Sequence, residues 1–344
     1  MQTKAYAAQS ASSPLAPFSL ERREPGPHDV VIDIQYCGVC HSDIHQARDE
    51  WGGSVFPMVP GHEIIGTVAA MGSAVKKFKT GDRVGVGCLV DSCGTCQNCQ
   101  DDLEQFCPKM VGTYNSRAKD GSITYGGYST RVVVDESFTL RIPDNLDMAA
   151  AAPLLCAGIT TYSPLRTWKA GPGQRLGVVG LGGLGHMAVK LGHAMGCEVT
   201  VFSTSRTKEA DARRLGASGF IATKESGSLA AAAGKFDLII NTVSAPQDLN
   251  GYLATLKRDG TMVLVGVPPE PTPVAAFSLI MGRKRLAGSL IGGIAETQEM
   301  LDFCGKHGIT SDVEMIAASQ INDAYERMLA GKVHYRFVID CATI

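Results

Sequence analysis

Residues 174–206, QRLGVVGLGGLGHMAVKLGHAMGCEVTVFSTSR, constrain the fold more than any other stretch of this chain. A short apolar run at 175–179 reads as a buried parallel strand, and the segment Gly180-Leu181-Gly182-Gly183-Leu184-Gly185 follows it directly. Residues 186–195 then read as a helix and 198–202 as a second strand, the order that a dinucleotide-binding βαβ unit demands. In such a unit Gly180 permits the tight turn and Gly182 lets the backbone approach a pyrophosphate. Gly185 lets the helix pack close to the sheet, and the phosphates meet the positive helix N-terminus. The expected class is therefore α/β, with a doubly wound parallel sheet of the Rossmann kind.

The ribose end of the motif carries a second signal. An acidic side chain for an adenosine ribose is expected about twenty residues into the motif. That region here is Ser203, Thr204, Ser205, Arg206, Thr207 and Lys208, and the first carboxylate is Glu209. Hydroxyls and cations suit a ribose that bears a 2′-phosphate, so the cofactor reads as NADPH/NADP+. The plain alternative is a solvated basic loop.

With 344 residues the chain has room for two domains, and 44% apolar residues supply a sizeable core. A formal net charge of −2 makes no electrostatic case for a nucleic-acid or membrane partner. No apolar run reaches the roughly 18 residues of a membrane span. The opening MQTKAYAAQSASSPLAPF lacks a signal-peptide hydrophobic region, so a cytoplasmic location is expected. Eleven cysteines in that setting argue for metal rather than disulfides.

Before the glycine motif the pattern is one of short strands between Gly/Pro turns, which predicts a β-rich, barrel-like domain. Within it, residues 37–45, CGVCHSDIH, crowd two thiols, two imidazoles, a hydroxyl and a carboxylate together, and a turn further on feeds His62 and Glu63 into a strand. The spacing Cys93-x2-Cys96-x2-Cys99-x7-Cys107 is the most specific local signal. Four thiolates from one loop can close tetrahedrally on Zn²⁺ with no open position, which makes a structural site; two disulfides are the alternative. Residues 147–156 read as an Ala-rich helix leading to the domain boundary. Strands are expected at 236–243, 261–267 and 286–291, and helices at 208–215, 249–256, 297–307 and 321–330. A last strand at 335–339 fits the first domain better than a finished six-stranded sheet. The expected division is a catalytic domain of residues 1–155 and 293–344 around a cofactor domain of residues 156–292.

Taken together, CGVCHSDIH (37–45), FPMVPGHEIIGTV (56–68), the loop of Cys93 to Cys107, GLGGLG (180–185), FSTSRTKEA (202–210) and GSLIGG (288–293) resemble the zinc-dependent medium-chain alcohol dehydrogenases. The resemblance is to their cinnamyl alcohol dehydrogenase branch. It implies a GroES-like catalytic domain plus a Rossmann domain, with two Zn²⁺ per chain. The implied ligands of the catalytic ion are Cys40, His62 and Cys156, with Glu63 as a carboxylate able to ligate transiently. Cys37 is a competing thiol, and the family spacing of 22 residues to His62 selects Cys40. By the same resemblance Asp43 orients the ligand imidazole, while Ser42 and His45 relay the alcohol proton. Cys88, Cys197, Cys304 and Cys341 read as small core residues.

Lignin-forming members carry a Trp five residues after the last structural cysteine, where this chain has Gly112. The implied activity is a broad reduction of aldehydes, interconverting them with primary alcohols. An NAD-linked alcohol dehydrogenase and a catalytically silent zinc and dinucleotide-binding protein are the alternatives. An apolar edge strand at 285–291 and the resemblance both point to a homodimer.

Overall fold

The computed structural model describes all residues, 1–344, as two compact units: Met1–Ile159 with Gly292–Ile344, and Thr160–Ile291. No single helix is long and apolar enough to cross a membrane.

The unit Thr160–Ile291 holds a six-stranded sheet in which every pairing is parallel. Its strands in chain order are Arg175–Val179, Glu198–Ser203, Gly219–Ala222, Phe236–Asn241, Leu256–Leu264 and Arg285–Gly288. In space they run third, second, first, fourth, fifth, sixth, which places the order reversal beside the first strand, above the glycine-rich turn. Apolar, mostly branched residues fill these strands because helices cover parallel sheets on both faces. Phe202, Phe236, Ile239, Leu253 and Met262 form the core of one such face. The strand Gly219–Ala222 was not among those expected: it has four residues, of which three are only half-buried, so it lacks a readable apolar run. The last strand ends at Gly288, earlier than expected: its register with the neighbouring strand stops at Leu264 opposite Gly288, and Ile291 has left extended backbone with φ +34°.

In the other unit, the long strand Asp29–Val39 is the hub. It pairs antiparallel with Ile64–Met71, Arg131–Asp135 and Arg336–Asp340. Val30, Ile32, Ile64, Val84, Val132, Phe337 and Ile339 bury their side chains in its core. The chain end thus returns to the first part of the chain, with Phe337 opposite Val39. The helix expected at 147–156 is two short pieces, Met148–Ala151 and the tighter turn Ala152–Leu155, because Pro153 lacks an N–H to continue the ladder.

Asp29 opens the hub strand, nearly buried, and accepts hydrogen bonds from the Gly26 N–H at 2.5 Å and from the Arg23 guanidinium. Burial pulls its pKa up, but Arg23 and Gly26 outweigh that and hold it below the ordinary carboxylate value. A depressed pKa stabilises the fold above the unfolded value of about 3.9 and stops doing so as pH falls through the folded one. Asp29→Asn should therefore lower the unfolding free energy by about 1–2 kcal/mol near pH 7. In urea titrations the gap between wild type and variant should narrow as pH drops from about 5 towards 3, whereas a constant gap would contradict the role given to Arg23.

Candidate metal centres and cofactor site

Cys93, Cys96, Cys99 and Cys107 gather their sulfurs within 4.8 Å of one another. Sγ–Sγ separations of 3.6 Å (Cys96–Cys99) and 3.8 Å (Cys93–Cys99) are far beyond a disulfide bond, and all eleven cysteines are free thiols. Backbone N–H groups aim at the sulfurs. Thr95 and Cys96 donate to Cys93 Sγ at 3.5 and 3.3 Å, and Cys93 and Lys109 donate to Cys107 Sγ at 3.4 and 3.3 Å. The Thr95 and Cys96 N–H groups draw the Cys93 thiol down to about 5. Four sulfurs gathered in one loop, two of them met by backbone N–H groups, fit a Zn²⁺ enclosed by four thiolates.

A second cluster draws on three remote segments. Cys40 follows the hub strand and caps the helix His41–Ala47, His62 and Glu63 immediately precede the strand Ile64–Met71, and Cys156 follows the turn Ala152–Leu155. Their ligand atoms also lie within 4.8 Å of one another, and all four residues are buried. Glu63 Oε2 has no hydrogen-bond partner there. Even a Cβ at Gly38 would come within 1.9 Å of that oxygen, so glycine is needed beside it. Two thiols, an imidazole and a carboxylate with an unsatisfied oxygen are costly to bury together unless a cation compensates them. The donor set suits zinc, with Cys40, His62 and Cys156 as three firm ligands and Glu63 within reach. Cys37 is not in this group: its thiol donates to the Gly38 carbonyl at 3.6 Å, and burial pushes its pKa well up.

Asp43 sits beneath the cluster, fully buried. It accepts from the Cys40 N–H at 2.8 Å, the Gly61 N–H at 3.1 Å and the Tyr128 hydroxyl at 3.2 Å, and His62 Nδ1 stands 3.2 Å away. That contact turns the other ring nitrogen of His62 towards the sulfurs. Ser42 Oγ lies 3.7 Å from Cys40 Sγ. His45, partly exposed, meets Glu50 through Nδ1 at 2.5 Å and stacks on Trp51 with ring centroids 5.0 Å apart.

Two residues at this centre escaped the sequence reading. Arg336, on the last strand, donates to Glu63 Oε1 at 2.5 Å and to the Val39 carbonyl at 2.9 Å. Burial raises the Glu63 pKa to about 7 even though Arg336 pulls it down. Cys88, read as a core residue, stands beside Cys156 instead: its thiol donates to the Leu155 carbonyl at 3.8 Å, and interaction with the Cys156 thiol draws it below the ordinary value. Neither has a spacing signal, since each reaches the centre through the fold.

The glycine-rich turn has the geometry that its sequence suggests. Gly180 adopts φ +90°, and a Cβ at Gly185 would come within 2.1 Å of the Gly180 carbonyl. A Cβ at Gly182 would meet nothing within 4 Å, so that side of the turn is open. Gly183 and Leu184 lead into the helix Gly185–Ala194, whose first N–H groups have no side-chain cap. Ser203 ends the second strand of the sheet; Thr204 follows it, and Ser205 Oγ accepts from the Thr207 N–H at 3.2 Å. Lys208 Nζ reaches back to the Leu181 carbonyl at 2.9 Å and so joins the ribose-end loop to the glycine turn. Arg206 is paired with Glu225 and Glu209.

Comparison with known proteins agrees with both halves of this picture. Residues 26–144 match the family described as alcohol dehydrogenase GroES-like domain, and residues 183–306 that described as zinc-binding dehydrogenase. The aldehyde reductase YahK of Escherichia coli (strain K12) is 58% identical over 348 residues, covering 100% of this chain and 99% of the relative. A cinnamyl alcohol dehydrogenase from Sorghum bicolor superposes with a TM-score of 0.97 at 46% identity, over 99% of this chain and 98% of that one. The CAD from Helicobacter pylori complexed with NADP(H) superposes with a TM-score of 0.94 at 45% identity, over 99% of each. This chain belongs to the zinc-dependent medium-chain alcohol dehydrogenases, in their cinnamyl alcohol dehydrogenase-like branch.

Proposed function

We propose that this enzyme is a zinc-dependent, NADP(H)-linked aldehyde reductase of broad specificity that interconverts aldehydes and primary alcohols. The observation that carries the reading is the pairing of one closed loop of four thiols with one buried Cys₂His set that has a carboxylate in reserve. Cys40, His62 and Cys156 would hold a zinc ion, which would supply Lewis acidity towards a carbonyl or alcohol oxygen, and NADPH, when bound, would supply the hydride.

The chain's own groups do the remaining work. Asp43 fixes the His62 ring through Nδ1, and Arg336 holds Glu63 by its Oε1 beside the other three residues of the cluster. Ser42 and His45 carry the proton between the substrate oxygen and solvent. Glu50, at His45 Nδ1, leaves Nε2 to take or give that proton. The N-terminus of the helix Gly185–Ala194 receives the pyrophosphate, and Ser203, Thr204, Ser205, Arg206 and Lys208 face the 2′-phosphate. Support for NADP(H) and for an aldehyde substrate comes also from the Helicobacter pylori complex and the Escherichia coli reductase. Gly112 in place of a bulky ring supports a wider choice of aldehydes.

Purified enzyme should contain about two zinc ions per chain and oxidise NADPH with both aromatic and aliphatic aldehydes. Cys40→Ala or His62→Ala should reduce turnover by at least about 1,000-fold and leave a folded protein with about one zinc. Cys96→Ala should chiefly lower thermal stability and lose the other ion. Full activity in Cys40→Ala would sink the catalytic assignment.

The same reading includes a homodimer through the edge strand Arg285–Gly288. Around that unpaired edge Val267, Phe277, Ile280, Met281 and Leu290 are 51–80% exposed, an apolar margin that a two-fold copy would cover. Light scattering should give a mass near twice the 36.4 kDa of one chain, and the pair Ile280→Glu with Met281→Glu should give a monomer. A monomeric wild type at micromolar concentration would remove the dimer.

A further inference from the structure

Arg206, the planar cation of the ribose-end loop, has every guanidinium nitrogen engaged. Nε and Nη2 donate to Glu225 Oε1 and Oε2 at 2.5 and 2.8 Å, and Nη1 donates to Glu209 Oε2 at 2.9 Å. Glu209 is shared, since Arg213 approaches its other oxygen at 3.5 Å, whereas Glu225 gives both oxygens to Arg206. Glu225 reaches this place across the sheet. Ser203 stands in parallel register with Ala222, and the Thr223 N–H donates to the Ser203 carbonyl at 2.7 Å. The chain leaving the strand Gly219–Ala222 therefore passes beside the loop that leaves Glu198–Ser203. Lys208 differs from Arg206 in that its acceptor is a neutral carbonyl, Leu181 O.

We propose that Glu225 is a specificity-determining residue of the cofactor site: by occupying the Arg206 fork it limits the preference for a 2′-phosphorylated ribose and leaves Lys208 as the main phosphate cation. This rests on the NADP(H) reading of the loop given above. A phosphate and a carboxylate compete for the same fork, because both match its two parallel N–H donors. The Arg206–Glu225 pair is exposed, with side-chain accessibilities of 57% and 49%, so a doubly charged phosphate can displace the carboxylate in part. Glu225 also repels the incoming phosphate, and salt weakens that repulsion. The control is therefore graded, and removing the Glu225 charge should tighten only those ligands that carry the 2′-phosphate.

The test is calorimetric binding of 2′,5′-ADP, 5′-AMP, NADP+ and NAD+ to the zinc-loaded full chain at low salt. Glu225→Gln keeps the shape and removes the charge; it should tighten 2′,5′-ADP and NADP+ by about 3- to 10-fold and leave 5′-AMP and NAD+ unchanged. Arg206→Ala should weaken 2′,5′-ADP by less than about 3-fold in the wild-type background but by about 10-fold in Glu225→Gln, a coupling that a double-mutant cycle reads directly. Lys208→Ala should weaken it by at least about 10-fold in either. If wild type prefers 2′,5′-ADP over 5′-AMP yet Glu225→Gln changes nothing, or Arg206→Ala costs the same in both backgrounds, the role of Glu225 is wrong and the NADP(H) reading stands. If wild type binds 2′,5′-ADP and 5′-AMP equally, both fall.

Discussion

The ion pair between Arg336 and Glu63 holds together what the rest of the catalytic unit needs. Arg336 is 4% exposed and Glu63 is fully buried, so each charge depends on the other. One Arg336 nitrogen bridges Glu63 Oε1 and the Val39 carbonyl, and it does so from the last strand of the chain. The pair therefore locks strand Arg336–Asp340 against the end of Asp29–Val39, next to the turn that presents Cys40. Losing one partner would leave a buried charge uncompensated beside the ligand set, the situation in which removing half of a pair is most damaging. Glu63 Oε2 is left without a donor in the same buried cluster.

Buried polarity is organised around that point. Asp43 collects two backbone N–H groups, a tyrosine hydroxyl and an imidazole, which fixes both the helix start at Cys40 and the ring of His62. The four-thiol loop solves the same problem locally, with its own backbone donors turned onto its sulfurs. One centre is thus built by tertiary structure and the other by a short loop. This fits a division between a reactive ion and a folding ion.

That difference decides what could be read from the sequence. Cys93 to Cys107 and Gly180 to Gly185 are local patterns, and local spacing was enough to anticipate the sulfur cluster and the turn with φ +90° at Gly180. Cys40, His62 and Cys156 came from family resemblance rather than spacing, because the segments between them are long. Arg336 was invisible: it lies 273 positions from Glu63, and nothing near it in sequence announces an ion pair. Glu225 was missed for a related reason. The loop 203–208 looks free of carboxylates along the chain until Glu209, yet the neighbouring strand delivers one to Arg206 from the side. The strand that leads to it, Gly219–Ala222, is short and half-buried, so periodicity gave no warning of it.

The most direct test of an open reactive centre beside a closed structural one is the visible spectrum of the cobalt-substituted enzyme. Co²⁺ in thiolate-rich tetrahedral sites absorbs in a way that reports its ligands, and a site with a free position changes its spectrum when a small oxygen ligand enters. We predict two sets of bands, of which only one shifts on adding an aldehyde and disappears in Cys40→Ala. Bands that ignore the aldehyde, or a shifting set that survives in Cys40→Ala, would contradict the assignment of Cys40, His62 and Cys156 as the reactive centre.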